Sequence, residues 1–223
     1  GQTQVVDGML TALVAGGHIL LEGVPGLAKT LAVRTFAELS GLSFKRIQFT
    51  PDLLPADLTG TLIYEQNTGR FNVRKGPVFT NVVFADEINR APAKVQSALL
   101  EAMAERQVTI GETSYKLPEP FFVLATQNPI EQEGTYNLPE AELDRFLMKI
   151  VVPYPSPKEE IEIVKTCGHA DLVPIRQVFD EKSLTKCRNL LEKIVCDEKI
   201  IEYIVSIINV TRPVEKPSSE LRS

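Results

Sequence analysis

A lysine–threonine pair follows a short glycine-rich turn near the start of the chain, and this combination can hold a polyphosphate. Residues 18–22 form an apolar run suited to a buried strand, and the turn Gly-Val-Pro-Gly-Leu-Ala follows at 23–28. Lys29 and Thr30 then open a helical pattern. Backbone N–H groups at a helix N-terminus and a lysine amine attract phosphate oxygens, while a threonine hydroxyl can bind Mg²⁺. The expected ligand is therefore a nucleoside triphosphate.

The turn differs at one position from the usual phosphate-binding pattern G-x-x-x-x-G-K-[ST], because Ala28 stands where the second glycine is expected. Alanine is tolerated there if φ is negative, as it is once the helix has begun. The residues expected to contact the nucleotide are Gly23, Val24, Pro25, Gly26, Leu27, Ala28, Lys29, Thr30 and Leu31. The alternative interpretation is a glycine-rich turn that binds no ligand.

Two adjacent acids end a second apolar run and could complete such a site. Asp86 and Glu87 directly follow Val-Val-Phe-Ala at 82–85. At a strand end beside the phosphates, Asp86 would hold Mg²⁺, and Glu87 would polarise the attacking water. A second acid at the water favours hydrolysis over transfer to an acceptor hydroxyl. Taken alone, the run is also compatible with a strand that ends in solvated acids.

Two further polar residues lie next to apolar runs. Asn128 follows the third run, where its amide could hydrogen-bond both the water and the outer phosphate; the alternative is a simple Asn-Pro turn. Arg145 precedes the last run and could reach the phosphate of a neighbouring subunit as an arginine finger. The alternative for Arg145 is an ion pair with Asp144 or Glu142 on a solvated helix face.

The elements that must position these residues alternate between strand and helix. Five apolar strand candidates lie at about 18–22, 44–50, 81–86, 121–126 and 148–152. Helical periodicity separates them and is clearest between Pro92 and Arg106, which predicts an α/β fold with a parallel sheet between helices. After the prolines at 153–157 the pattern predicts only helices, at 158–166, 181–195 and 198–210.

Composition narrows the function classes. The formal net charge of −5 argues against a broadly basic nucleic-acid-binding face. Cys167, Cys187 and Cys196 do not have metal-ligand spacing, and their odd number fits a reduced cytoplasmic protein better than a disulfide framework. His18 and His169 have no obvious nucleophilic partner and are expected to be structural. No signal peptide or membrane-spanning run is recognised, so membrane insertion is not expected.

Together these motifs resemble the AAA+ ATPases and, within them, the MoxR family. The resemblance covers nearly the whole chain and rests on residues 1–2, 17–30, 49–60, 85–91, 125–129 and 143–146. Ala28 is itself the form that similar MoxR proteins carry. The resemblance implies a P-loop AAA+ core at 1–154, with a helix-2 insert at about 60–79 and a hairpin before sensor 1 at about 107–120. A partial all-helical lid at 155–223 would follow.

The resemblance also implies roles and partners. Lys29 and Thr30 correspond to Walker A, Asp86 and Glu87 to Walker B, Asn128 to sensor 1, and Arg145 to the trans-acting finger. The implied cofactors are ATP and Mg²⁺, the implied assembly is a homo-oligomeric ring, most often a hexamer, and the implied partner has a von Willebrand factor A domain. The family's Gly-Ala-Ser-Pro-Arg-like motif, which carries the sensor 2 arginine, is not found in these 223 residues.

The expected function is Mg-dependent ATP hydrolysis that drives chaperone-like remodelling or maturation of a partner protein or complex. One alternative is a nucleic-acid-associated AAA+ motor, which the acidic charge disfavours. Another is a nucleotide-gated scaffold with little turnover. The residues do not name the client, and the preference for ATP over GTP comes from the resemblance.

Overall fold

The computed structural model describes residues 3–23, 29–129, 135–166 and 175–212. Several residues discussed above lie outside this part: Val24, Pro25, Gly26, Leu27, Ala28, Cys167 and His169. The chain divides into two compact units, 1–185 and 186–223. The predicted boundary between core and lid, after residue 154, stays a prediction.

The elements within the described residues are numbered in chain order. The strands are β1 (Ile19–Glu22), β2 (Phe44–Gln48), β3 (Gly60–Glu65), β4 (Arg70–Lys75), β5 (Val82–Asp86), β6 (Gln107–Ile110), β7 (Thr113–Lys116), β8 (Phe122–Gln127) and β9 (Met148–Val151). The helices are α1 (Thr3–Ala15), α2 (Lys29–Ser40), α3 (Pro55–Thr59), α4 (Ala93–Glu105), α5 (Glu140–Leu143), α6 (Pro157–Thr166), α7 (Glu181–Leu191) and α8 (Glu198–Thr211), with a 3₁₀ turn at Ile88–Arg90.

A five-stranded sheet in the order β2-β5-β8-β1-β9 forms the centre of the first unit. Every neighbouring pair in it is parallel, which confirms the predicted fold class. The observed strand ends differ from the predicted ones by at most two residues. β1, β5 and β8 read as continuous apolar runs because helices cover both faces of the sheet.

The two faces of the sheet bury separate hydrophobic clusters. Leu20 faces the cluster that includes α4 residues, whereas Ile19 and Leu21 face the cluster that includes residues of α1 and α2. This alternation follows from the two-residue period of a strand. The sheet is therefore a rigid platform whose strand ends are fixed from both sides.

Two antiparallel hairpins leave this platform. β3 pairs with β4 so that Tyr64 lies opposite Phe71, and β6 pairs with β7. Gly69 and Gly111 stand at the turns with φ of +64° and +63°, a conformation that favours glycine. The hairpins lie within 60–79 and 107–120, the segments in which the two inserts are expected.

The helices after β9 differ slightly from expectation. The pattern predicts a helix up to Val195, but α7 ends at Leu191. The N–H groups of Lys193 and Ile194 bond three residues back, which tightens the chain into turns. α8 begins after Asp197, whose carboxylate accepts the Lys199 N–H at 3.0 Å. No helix among the described residues is both long enough and apolar enough to cross a membrane.

Candidate nucleotide site

The carboxyl ends of three strands meet at one edge of the sheet. Leu21 of β1 lies opposite Thr126 of β8, and Ala85 of β5 lies opposite Ala125. Gly23, directly after β1, and the acids at the end of β5 therefore lie at one edge, although they are about sixty residues apart in the chain. In α/β sheets, ligands bind outside the carboxyl ends of the strands.

Gly23 begins the expected phosphate turn, and the structure gives a packing reason for glycine there. A Cβ added at Gly23 would lie 2.9 Å from the carbonyl oxygen of Val152. The Gly23 N–H also donates to the Gln127 carbonyl at 3.2 Å. A side chain would thus push apart the backbones that frame the entrance to the turn.

Lys29 connects the two ends of the expected phosphate turn. It is the first residue of α2, and its Nζ donates to the Gly23 carbonyl at 2.6 Å. Burial lowers the pKa of Lys29 below its usual range, while the negative charges of Asp86 and Glu87 oppose this effect. The amine therefore lies within the electrostatic influence of both acids. The structure brings together residues that the sequence offered in two separate motifs.

Asp86 has a partner for each carboxylate oxygen. Oδ1 accepts the Thr126 hydroxyl at 2.7 Å, and Oδ2 accepts Nε and Nη2 of Arg46 at 3.1 and 2.7 Å. The Asp86 carboxylate and the hydroxyl of half-buried Thr30, at the start of α2, are both oxygen donors of the kind that Mg²⁺ prefers. These residues fit the implied metal.

Glu87 has an unusual backbone conformation. Its φ of 56° and ψ of 52° lie in the left-handed region, which costs a residue with a side chain about 1 kcal/mol. The Glu87 N–H donates to Oγ1 of Thr126 at 2.8 Å, and its Oε2 accepts Gln48 Nε2 at 2.8 Å and Arg90 Nη1 at 3.0 Å. Such strain is found preferentially at functional sites.

Asn128 lies at the end of β8 and is 5% exposed. Its N–H donates to Oδ1 of Asn89 at 3.4 Å, and Nδ2 of Asn89 donates to the Asn128 carbonyl at 3.2 Å. This reciprocal pair connects the turn after β5 to the end of β8. The backbone of Asn128 is therefore held in place beside the two acids.

Arg145 is held within its own chain. Nη1 donates to the Leu100 carbonyl of α4 at 2.7 Å, and the contact is partly buried. Glu142, one of the ion-pair partners considered above, accepts the Ser97 hydroxyl at 3.0 Å. The role of Arg145 as a finger toward a neighbouring subunit stays a prediction.

A cavity of about 520 Å³ opens beside the end of β9. Its walls are mainly apolar and include Val5, Val152, Pro153 and Ile163, with Gln4 among the polar lining residues. The Val152 N–H donates to the Glu22 carbonyl at 2.7 Å, directly before Gly23. The cavity therefore adjoins the entrance to the phosphate turn.

The sequence interpretation missed four residues that hold this site in place: Arg46, Gln48, Asn89 and Thr126. Each supports a predicted residue through a hydrogen bond. Gln48 could have been found, because it is a polar residue within the predicted strand at 44–50, whose carboxyl end joins the same edge. The contact between Arg46 and Asp86 depends on β2 lying beside β5, which no local pattern shows.

Comparison with known proteins identifies the family. The family model described as "ATPase family associated with various cellular activities (AAA)" matches residues 18–148. "Chaperone MoxR1" of Mycobacterium tuberculosis is 51% identical over 218 residues, which is 97% of this chain and 57% of that protein. The chain belongs to the MoxR family of AAA+ ATPases.

Further proteins are similar to this chain. "Protein MoxR" of Paracoccus denitrificans is 39% identical over 72% of this chain and 48% of its own length. YeaC of Bacillus subtilis is 47% identical over 99% of this chain and 69% of its own length. A crystal structure from Cytophaga hutchinsonii, 52% identical, superposes with a TM-score of 0.86 over 95% of this chain and 64% of that one. The MoxR chain described here thus spans little more than half the length of Chaperone MoxR1.

Proposed function

We propose that this MoxR protein binds Mg-ATP, hydrolyses it, and uses the energy for chaperone-like remodelling or maturation of a partner protein. The observation that carries the proposal is geometric: Lys29 Nζ lies on the Gly23 carbonyl at the end of β1, and Asp86 and Glu87 follow β5 at the same edge of the sheet. A cation for phosphates beside paired acids is the arrangement that phosphoanhydride hydrolysis needs. The relative from Mycobacterium tuberculosis is named a chaperone, which supports the chaperone part of the proposal.

The cavity beside β9 supports a nucleotide over a simpler polyphosphate. Its volume of about 520 Å³ lies in the range of small-molecule pockets, and its mainly apolar walls suit a purine ring. Gln4 would supply a polar contact to the base. Because the cavity adjoins Gly23, a base seated there would direct its phosphates toward Lys29 and Thr30.

The residues of the chain would perform distinct parts of the reaction. Lys29 would exchange its bond to the Gly23 carbonyl for the outer phosphates, and Thr30 and Asp86 would hold Mg²⁺. When bound, Mg²⁺ neutralises charge on the β- and γ-phosphate oxygens. Glu87 would accept a proton from water as the water oxygen bonds to the γ-phosphorus and the bond to the ADP oxygen breaks.

Two further residues would complete the site. The Asn128 side chain, at the end of β8, would orient the attacking water and the γ-phosphate. Arg145 of one subunit would stabilise the transition-state charge in the next, which requires a ring that the resemblance makes hexameric. Leaving its contact with the Leu100 carbonyl would be part of ring assembly.

The hairpin β3–β4 is the proposed contact with the partner. Tyr64 and Phe71 form an exposed aromatic pair with ring centroids 5.1 Å apart. Aromatic side chains are enriched at protein interfaces, and tyrosine is a frequent anchor there. The resemblance makes a von Willebrand factor A domain protein the expected partner.

The substitution Glu87→Gln tests the proposal. It removes the base while keeping the size of the side chain, so turnover is expected to fall by about 100-fold or more while ATP affinity is retained. Glu38→Gln makes the same charge change on the surface of α2 and is the matched control. Equal turnover in Glu87→Gln would remove Glu87 from the mechanism.

The same assays separate the alternatives. A nucleic-acid motor would show DNA-stimulated turnover with a steep salt dependence. A nucleotide-gated scaffold would bind ATP in the unmodified protein but turn it over hardly at all. Absence of any Mg-ATP binding by the unmodified protein would contradict the whole proposal.

A further inference from the structure

Arg46, on the edge strand β2, places two N–H groups on a single oxygen of Asp86. Nε and Nη2 lie 3.1 and 2.7 Å from Oδ2, while Thr126 occupies Oδ1. The Arg46 side chain is 47% exposed and that of Asp86 is 14% exposed. Arg46 can therefore swing into solvent without disturbing the core, whereas Asp86 stays in place.

This pairing fills one of the two Asp86 carboxylate oxygens that a metal could use. A carboxylate oxygen has two lone pairs, and Oδ2 already accepts two N–H groups. A divalent cation, or a water bound to it, can use Oδ2 only if at least one of these hydrogen bonds opens. The positive charge of the guanidinium also repels a divalent cation at short range.

We infer that Arg46 is a positioning residue that competes with the divalent cation for Oδ2 of Asp86. It fixes the carboxylate when no metal is present and is displaced when the metal–nucleotide complex binds. The inference rests on the proposed function, because it takes Asp86 as a ligand of the nucleotide's metal. It goes further by assigning a competitor to that ligand and a direction to the effect of removing it.

Arg46 also connects Asp86 to Glu87, the proposed general base. Arg46 Nη2 donates to Oε1 of Gln48 at 2.7 Å, and Gln48 Nε2 donates to Oε2 of Glu87 at 2.8 Å. When Arg46 leaves, the Gln48 amide loses one of its two restraints. Metal binding at Asp86 would thereby change the restraint on the Glu87 carboxylate, which is proposed to accept the proton of the attacking water.

The test measures binding rather than turnover. Affinity for a fluorescent ATP analogue is titrated against free Mg²⁺, and the midpoint of the Mg²⁺-dependent gain in affinity is recorded for each variant. An ion pair with one solvent-exposed side chain changes an equilibrium constant by about two- to fivefold. Arg46→Gln is therefore expected to lower the Mg²⁺ midpoint by about two- to fivefold. Arg46→Lys keeps the positive charge but cannot donate two N–H groups in the same planar geometry. Its Mg²⁺ midpoint is expected to lie between those of the unmodified protein and Arg46→Gln.

Arg34→Gln is the matched control. Arg34 forms an exposed ion pair with Glu38 on α2, so its removal makes the same change in net charge without touching Asp86. Its Mg²⁺ midpoint is expected to equal that of the unmodified protein. Thermal melting of every variant confirms that the measured populations are folded.

Three outcomes would overturn the inference while leaving nucleotide binding intact. They are an equal midpoint in Arg46→Gln and Arg34→Gln, a higher midpoint in Arg46→Gln, or weaker analogue binding in EDTA with an unchanged midpoint, which would make Arg46 a phosphate contact. Failure of the unmodified protein to bind the analogue at any Mg²⁺ concentration would instead contradict the proposed function, and this inference with it.

Discussion

The Thr126 hydroxyl donates to Oδ1 of Asp86 at 2.7 Å while its oxygen accepts the Glu87 N–H at 2.8 Å. One side chain of β8 thus fixes the carboxylate of one acid and the backbone of the next. It also accepts the N–H of Glu87, whose backbone lies in the left-handed region. Thr126 itself is buried, with 1% of its surface exposed.

Thr126→Val should therefore damage catalysis more than nucleotide binding. Valine keeps the volume but leaves the Glu87 N–H and one Asp86 oxygen without this partner, which costs about 1–2 kcal/mol of stability. Loss of alignment of the two acids is expected to lower the turnover number by about 10- to 100-fold. Steady-state ATP hydrolysis and equilibrium nucleotide binding measure the two effects separately.

Thr126→Ser provides the matching control. Serine retains the hydroxyl and should restore most of the turnover, because both hydrogen bonds can form. If valine and serine lowered turnover equally, the methyl group and its packing would matter rather than the hydroxyl, and the positioning role would be wrong.

Asn89 should be as important for stability as for the site. Its side chain forms two hydrogen bonds with the backbone of Asn128 and is 2% exposed. Asn89→Ala leaves a buried N–H and a buried carbonyl without these bonds, so the free energy of unfolding is expected to fall by about 2–4 kcal/mol. Urea denaturation measures this fall.

The surface variant Asn72→Ala, on the exposed strand β4, is the control for Asn89→Ala and should be nearly neutral. A loss below about 0.5 kcal/mol in Asn89→Ala would show that water satisfies the Asn128 backbone instead.

Much of the central fold could be predicted because its signals are local. The continuous apolar runs of β1, β5 and β8 indicate strands buried on both faces, and their alternation with helices indicates a parallel sheet. The meeting of Lys29 with Asp86 and Glu87 follows from a general rule about the carboxyl ends of such strands. The sequence therefore predicts that these residues lie at one edge of the sheet, and their roles stay predictions.

The supporting contacts could not be predicted, because they depend on strand order and register. Arg46 meets Asp86 only because β2 lies directly beside β5 with Gln48 opposite Asp86. In the sequence Asn89 looks like an ordinary turn residue, because its contact with the end of β8 depends on the fold. Arg145 illustrates the same limit, since its partner is a backbone carbonyl of α4 that has no sequence signature.

Arg145→Ala should abolish turnover with little change in nucleotide affinity, if Arg145 acts on the neighbouring subunit. Removal of an arginine finger is worth about 10³-fold or more in turnover. Since Arg145 also contacts the Leu100 carbonyl, some loss of stability is expected as well. A matching fall in nucleotide affinity would indicate a structural role instead.

Mixing two inactive variants gives a sharper measurement of the trans role. Arg145→Ala subunits keep Glu87, and Glu87→Gln subunits keep Arg145, so a mixed ring contains sites with both groups intact. Turnover is expected to reappear in the mixture and to depend on the mixing ratio. A mixture that stays inactive after subunit exchange has been verified would contradict the finger assignment.

His18 packs where β1, β8 and α4 meet. Its Nδ1 accepts the Val123 N–H at 3.1 Å, and its Nε2 lies 3.4 Å from the Met103 carbonyl. The ring edge also packs against Phe121. Burial lowers the pKa of His18 from 6.5 to about 4, so the imidazole is neutral in the folded protein near neutral pH.

This lowered pKa makes stability depend on pH in a defined window. In the unfolded chain His18 takes up a proton as the pH falls through 6.5, whereas in the folded protein it does so only near 4. The contribution of His18 to stability is thus complete above pH 6.5 and is lost as the pH falls toward 4, by about 3 kcal/mol in total. Below that range both states are protonated and the loss stops growing.

Comparison with His18→Asn isolates this effect. Asparagine can still accept the Val123 N–H but does not titrate, and every other ionisable group is common to both proteins. The difference in unfolding free energy between the unmodified protein and the variant, from urea denaturation at several pH values, should shrink or reverse as the pH falls from about 7 to about 4. A difference that stays constant across this window would mean that the folded protein admits a proton at His18 as readily as the unfolded chain does.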